Sequence, residues 1–156
     1  MARNCFLGVL ISSVFVFSPA YIRAQTALEN TQTTTAAGEE QVDLKASADA
    51  ATQWLKLIDE EKYGESWDLG SNIFHYTIKR DEWIKAEQKL RKPLGKLVSR
   101  QLVEQRPANN PKGLAEGKYM VLYYKTAFQN RPQASELLTM VLGQDGKWKV
   151  LTYHVS

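Results

Sequence analysis

The chain has 156 residues, 44% of them hydrophobic and 24% charged, the composition of one ordinary globular domain rather than of a disordered segment. Its formal charge is +3, but Arg3 and Arg23 fall in a leader-like stretch, and without these two of the 20 basic residues the balance against 17 acidic ones is +1. That near-neutrality removes the electrostatic case for nucleic acid or an anionic membrane as a partner.

The N-terminus reads as a secretory signal peptide over residues 1–24. Arg3 supplies the charge, residues 6–17 form the apolar run, Pro19 breaks it, and cleavage is expected after Ala24. The run is shorter than the ~20 residues a spanning helix needs, so no stable membrane anchor is expected after cleavage. The single cysteine, Cys5, precedes the apolar run, whereas a lipid-anchored cysteine follows it. Lipid anchoring is therefore not expected, and the mature chain would lack disulfides, thiol catalysis and Cys-based zinc sites. A periplasmic or secreted location follows from the leader alone.

Residues 25–42, rich in Thr, Ala, Gln and Glu, lack bulky apolar side chains and periodicity, so a disordered linker is expected. A single domain should fill 43–156. Its first helix is expected over 43–61, with Leu44, Ala48, Ala51, Leu55 and Ile58 on one face. After a reversal at Lys62, Tyr63 and Gly64, a second helix is expected over 65–76, with Trp67, Gly70 and Phe74 on its inner side. Gly70 predicts a kink or a close approach there. The third helix carries Asp81 and Glu82 in its first turn and Lys89, Arg91 and Lys92 in its last, matching the helix dipole. Trp83, Ala86, Leu90 and Leu94 supply its apolar stripe. Pro93 and Gly95 end it.

From Lys96 onward the period changes to two. Strands are expected over 97–106, 118–128, 136–142 and 148–155, with a loop over 107–117 and a turn at Asn130, Arg131 and Pro132. The second strand is apolar on both sides at its centre and should be covered on both faces. Asp145 and Gly146 suggest a type I′ hairpin. The order predicts an α+β fold, three N-terminal helices packed on one face of a curled four-stranded antiparallel sheet.

A set of residues spread over 46–155 then stands out: Trp54, Leu55, Asp59, Tyr63, Ser66, Trp67, Trp83, Arg91, Pro93, Leu94, Gly95 and Arg100, followed by Gly117, Tyr119, Phe128, Glu136, Asp145, Gly146, Trp148 and Tyr153. The combination resembles DUF4019, a bacterial family of domains of unknown function. The resemblance implies a short, exported, single-domain protein and no particular activity. Helices followed by a sheet are also similar in topology to the NTF2-like and cystatin-like folds, a likeness that carries no function.

No catalytic residue is assigned. Asp68 and His75, seven apart with Asn72 between them, share a helix face, and acid–base chemistry in a cone-shaped pocket would have to use them. The two histidines, His75 and His154, lack the spacing of converging ligands, so neither a metal nor a cofactor is expected. The binding candidates are Trp67, Trp83, Arg91, Arg100, Tyr123 and Trp148. Arg91 and Arg100 flank the Pro-Leu-Gly break. A structural bridge to Asp59 or Glu136 is the favoured role, and a corner for a carboxylate or phosphate ligand is the other. The tryptophans and tyrosines fit a core first and a ligand pocket second. The reading as a whole is an exported non-enzymatic module that binds an unknown small ligand or protein through its sheet. Alternatives are a cone-type enzyme using Asp68 and His75 in a pocket of Trp67, Trp83 and Tyr123, or a homodimer pairing its exposed sheets. Residues 83–95 should join helices to sheet, with Trp83 and Leu90 in the core and Arg91 tying the joint.

Overall fold

The structure, a computed structural model, describes residues 19–109 and 111–156. Glu39–Ser156 forms one compact unit. Most of the expected leader, 1–18, lies outside the described residues. Among the described residues no helix is long and apolar enough to cross a membrane.

Four helices precede four strands: α1 (Pro19–Asp59), α2 (Tyr63–Asp68), α3 (Asn72–Thr77), α4 (Arg80–Arg91), β1 (Leu97–Asn109), β2 (Lys118–Phe128), β3 (Arg131–Leu142) and β4 (Trp148–Val155). The strands form one open antiparallel sheet in the order β1-β2-β3-β4. The fold is α+β. The helix count differs from three because the expected second helix is broken in two.

Gly70 is the reason for the break. A Cβ there would lie 2.3 Å from Phe74 Cδ1 and 3.0 Å from the Trp67 carbonyl. The glycine instead lets the backbone pair with Val150 of β4, where Ser71 N–H donates to the Val150 carbonyl at 2.9 Å. Ser71 Oγ then caps α3 by accepting from Phe74 N–H. α1 also departs from expectation, since it begins at Pro19 and runs through the 25–42 stretch. Ala, Gln and Glu there are good helix formers, so a helix fixed at its packed end meets little local resistance to extending.

α4 ends as the sequence requires. Its last residue is Arg91, and Gly95 takes a positive φ of 73°. Its buried face is not the expected one. Trp83, Glu87 and Arg91 are buried, whereas Ala86 is exposed and Leu90 is 37% exposed. A spacing of four, not the three-then-four apolar stripe, selects the inward side, where Arg91 finds carboxylate partners and Glu87 is buried one turn before it.

β1 extends through Pro107 and Ala108, which were expected in the loop. Proline is tolerated there because β1 is an edge strand and its missing N–H breaks no outer ladder. β3 starts at Arg131, which pairs with Phe128, so the reversal is confined to Gln129 and Asn130. The β3–β4 turn is not type I′. Gly146 takes φ 71°, Asp145 does not take a positive φ, and Gly146 N–H donates to the Gly143 carbonyl. β2 is central, covered by the helices on one face and, on the other, only at its start. Met120, Leu122, Tyr124, Thr126 and Phe128 are buried, while Tyr123 on the other face is 40% exposed. Tyr119 is buried too, its Oη donating to the Ala115 carbonyl in the loop before β2.

The main core lies between helices and sheet. Trp54 meets Trp83 at 5.9 Å and Tyr153 edge-on at 5.1 Å, and Phe74 meets Trp83 edge-on at 4.9 Å. Ser66 satisfies both indoles: its carbonyl accepts from Trp54 Nε1–H at 2.8 Å and its Oγ from Trp83 Nε1–H at 3.0 Å. Leu94, Phe128, Ala134 and Val155 form a second, smaller cluster, and Tyr153 packs against both.

Candidate functional site

Between the two clusters lies a set of charges. α1 ends at Asp59, α4 ends at Arg91, β1 brings Arg100 and β3 brings Glu136. Arg100 Nη1 donates to Asp59 Oδ2 at 2.6 Å, Nη2 to Asp59 Oδ1 and Glu136 Oε1 at 3.0 Å each, and Nε to Glu136 Oε2. Arg91 Nη2 donates to Asp59 Oδ1 at 2.7 Å, and Nη1 to Glu136 Oε1 at 3.4 Å and Tyr153 Oη at 3.2 Å. Tyr153 Oη–H donates to Glu136 Oε1 at 2.6 Å and Thr126 Oγ1–H to Oε2 at 2.7 Å. The Arg91 guanidinium also sits 4.5 Å above the Phe128 ring.

The two guanidiniums and two carboxylates balance in charge, and Glu136 is wholly buried. Such a group stabilises little beyond an apolar replacement, because desolvation offsets most of the attraction, but losing one partner costs about 3–5 kcal/mol. Burial alone would raise the Glu136 carboxyl, yet the hydrogen bonds from Arg100, Tyr153 and Thr126 hold it below the usual carboxylate range. Burial works against the Arg100 charge, and its hydrogen bonds to Asp59 and Glu136 outweigh that and raise its pKa. Burial raises the Tyr153 phenol, with the Glu136 charge adding to it. The bridge expected from the sequence is thus present in doubled form: both arginines span both carboxylates. Their anion is the protein's own.

One more carboxylate adjoins this group. Glu87 is buried, one turn before Arg91 on α4, and its Oε2 has no hydrogen-bond partner. Burial pushes it up to about 7, against the pull of Arg91 and with a push from Glu136. Tyr124 Oη is also buried and unpartnered, and burial raises that phenol to about 12.

Two hollows open on the surface. One, of about 760 Å³, has Asp59, Tyr63, Arg91, Lys92, Lys96 and Gln129 among its walls. With Arg91 committed to internal carboxylates, Lys92 and Lys96 are the cations in its walls that have no ion-pair partner among the described residues. The other, of about 680 Å³, lies between α1, the α2–α3 corner and the β3–β4 hairpin. Trp54, Met140, Trp148 and Val150 form its apolar part, and Gln53, Asn72, His75 and Lys147 are among its polar groups. Its three aspartates have local cations: Asp49 with Lys45 at 2.6 Å, Asp68 with Arg80 at 3.0 Å, and Asp145 with Lys149 at 2.9 Å.

Asp68 and His75 line that second hollow. His75 stacks on Trp67 at 4.0 Å, and its Nε2 lies 2.7 Å from the Trp67 carbonyl. A carbonyl only accepts, so Nε2 carries the proton and a neutral His75 keeps its lone pair on Nδ1. Trp67 Nε1–H is spent on the Ile78 carbonyl at 2.9 Å. The aromatic candidates are not gathered in one pocket. Trp83 lies in the core, Trp148 borders the hollow from the core, and Tyr123 lies on the opposite face of the sheet, beside Glu104 and Leu137 in the ladder. Among the described residues no group of three His, Cys, Asp or Glu side chains could hold a metal ion.

Ser66, Glu87, Thr126 and Tyr153 were not singled out as site residues from the sequence. Glu87 had a usable signal, since Trp83, Glu87 and Arg91 fall four apart on one helix face.

The family model described as a protein of unknown function, DUF4019, matches residues 50–153. The chain belongs to the DUF4019 family. Within the DUF4019 span lie all four charged residues of the cluster, together with Glu87 and both hollows' principal walls. No curated protein and no solved structure matches the chain.

Proposed function

We propose that this DUF4019 protein is an exported, non-enzymatic binding domain acting in the periplasm or outside the cell. The leader pattern at the N-terminus supports export. The observation that carries the binding reading is the 680 Å³ hollow at the β3–β4 hairpin, an apolar floor with polar groups around it, of a size that suits a small amphipathic ligand. Its aspartates are each tied to a local cation, which leaves Lys147 and His75 Nδ1 to orient what binds. A thermal-shift screen of metabolites on the purified protein tests this. The expected result is a stabilising compound whose effect weakens in both Lys147→Ala and His75→Ala. Hits that bind these variants as well as the parent chain would overturn the assignment.

A second reading is favoured by one fact, that Asp68 and His75 line the same hollow. In a cone-type enzyme His75 Nδ1 would act as the base and Asp68 would orient the substrate. This reading requires turnover that is lost in His75→Ala and Asp68→Asn while binding persists; binding without turnover leaves the first reading in place.

A further inference from the structure

Among the described residues, Glu87 is the buried carboxylate next to the charge cluster that has no cation of its own. Arg91, four residues on, is shared between Asp59 from α1 and Glu136 from β3, and Arg100 from β1 is shared between the same two. The other titratable groups toward Glu87 are Tyr63 from α2 and Tyr153 from β4, both phenols, with Tyr124 of β2 beside Arg100 and Glu136. Two positive charges are therefore matched by two negative ones, and an ionised Glu87 would add a third negative charge with no counterpart.

We infer that Glu87 is a protonation-operated latch on the last turn of α4. Protonated, it is a neutral filler of the core, and Arg91 stays on Asp59, Glu136 and Tyr153. Ionised, it competes for Arg91, whose Nε has no partner in the cluster and which lies at the favourable i,i+4 spacing. The buried net charge then draws water in, and the turn that ends at Arg91 loosens. The joint can give at this point. After Pro93 come Leu94, whose N–H bonds back to the Arg91 carbonyl at 3.0 Å, and Gly95 at φ 73°. The group titrates near neutrality, a range an exported domain meets, so the latch would report external pH to the α4–β1 joint and to the hollow walled by Arg91, Lys92 and Lys96.

The test is amide hydrogen exchange of the purified protein at pH 5.5 and 8.5, corrected for intrinsic rates. Protection of Gln88, Lys92 and Leu94 amides is expected to fall roughly tenfold or more at the higher pH, with a midpoint near neutrality. In Glu87→Gln and in Glu87→Met the fall should disappear; the second variant covers the case in which the first folds poorly. Equal pH dependence in either folded variant, or unchanged protection in the parent chain across this range, would overturn the latch.

Discussion

Arg100 uses every nitrogen of its guanidinium on two carboxylates, and Glu136 accepts from two side chains besides the arginines. Arg100→Ala leaves Glu136 buried with Arg91 at 3.4 Å as its only cation. The expected loss is about 3–5 kcal/mol of unfolding free energy, measured by urea denaturation. Glu87 and Glu136 pull the pH profile in opposite directions. The folded-state value of Glu87 is raised from 4.5 to about 7, so its contribution is present below about 4.5 and lost as pH rises through 7. Over that span the loss is on the order of 3 kcal/mol. Glu136 is held below its ordinary value, so its contribution is present above that value and lost as pH falls through the lowered one. Stability should therefore peak in the mildly acidic range. Denaturant midpoints in Glu87→Gln should lose the decline between pH 5 and pH 8 and keep the one in acid.

The α2–α3 corner rests on a single glycine, and two hydrogen bonds fix it. Gly70→Ala would drive a methyl group to within 2.3 Å of the buried Phe74 ring, which is itself held against Trp83. Overpacking of this kind costs about 1–3 kcal/mol. The variant should show that loss in thermal or urea unfolding, together with perturbed fluorescence from Trp83. Gly64→Ala at the start of α2 makes the contrast. Its methyl would meet only the guanidinium end of Arg80, a half-exposed side chain that can move aside, and the expected effect is confined to the Arg80–Asp68 pair. Sequence periodicity located both ends of α4, because dipole, proline and glycine signals act within one turn. It missed which face of α4 turns inward, since a buried Glu87 and Arg91 look like surface residues until their partners are known.

At the scale of the whole unit Glu39–Ser156, the helices cover one face of an open sheet, and among the described residues the buried members of both clusters lie from Ala51 onward. A chain beginning at Glu39, which spans this compact unit, should unfold in one cooperative transition, as calorimetry would record. A second transition would show that Glu39–Ser156 is not one cooperative unit. The edges and the uncovered face were only partly legible. The two-sided apolar strand at 118–128 suggested cover on both sides, yet on the side away from the helices Tyr119 alone is buried, under the loop before β2, while Val121 and Tyr123 stay partly exposed. Strand hydrophobicity reports a central position in the sheet, which β2 has, and does not by itself say how many layers the fold contains.

The amino-acid sequence by itself determined the element order, the end of α4, the bounds of β2 and β4 and the α+β class, because periodicity, capping and turn chemistry are local. It also pointed to the partners of Arg91 and Arg100, since a buried guanidinium needs a carboxylate and few were placed to serve. Only the tertiary structure decided that both arginines share both carboxylates, that Ser66 serves two indoles, and that Glu87 is shut beside them without a cation. Those facts depend on residues 12 to 62 positions apart in the chain meeting in the buried interior, and no local pattern encodes which of them remains unpaired.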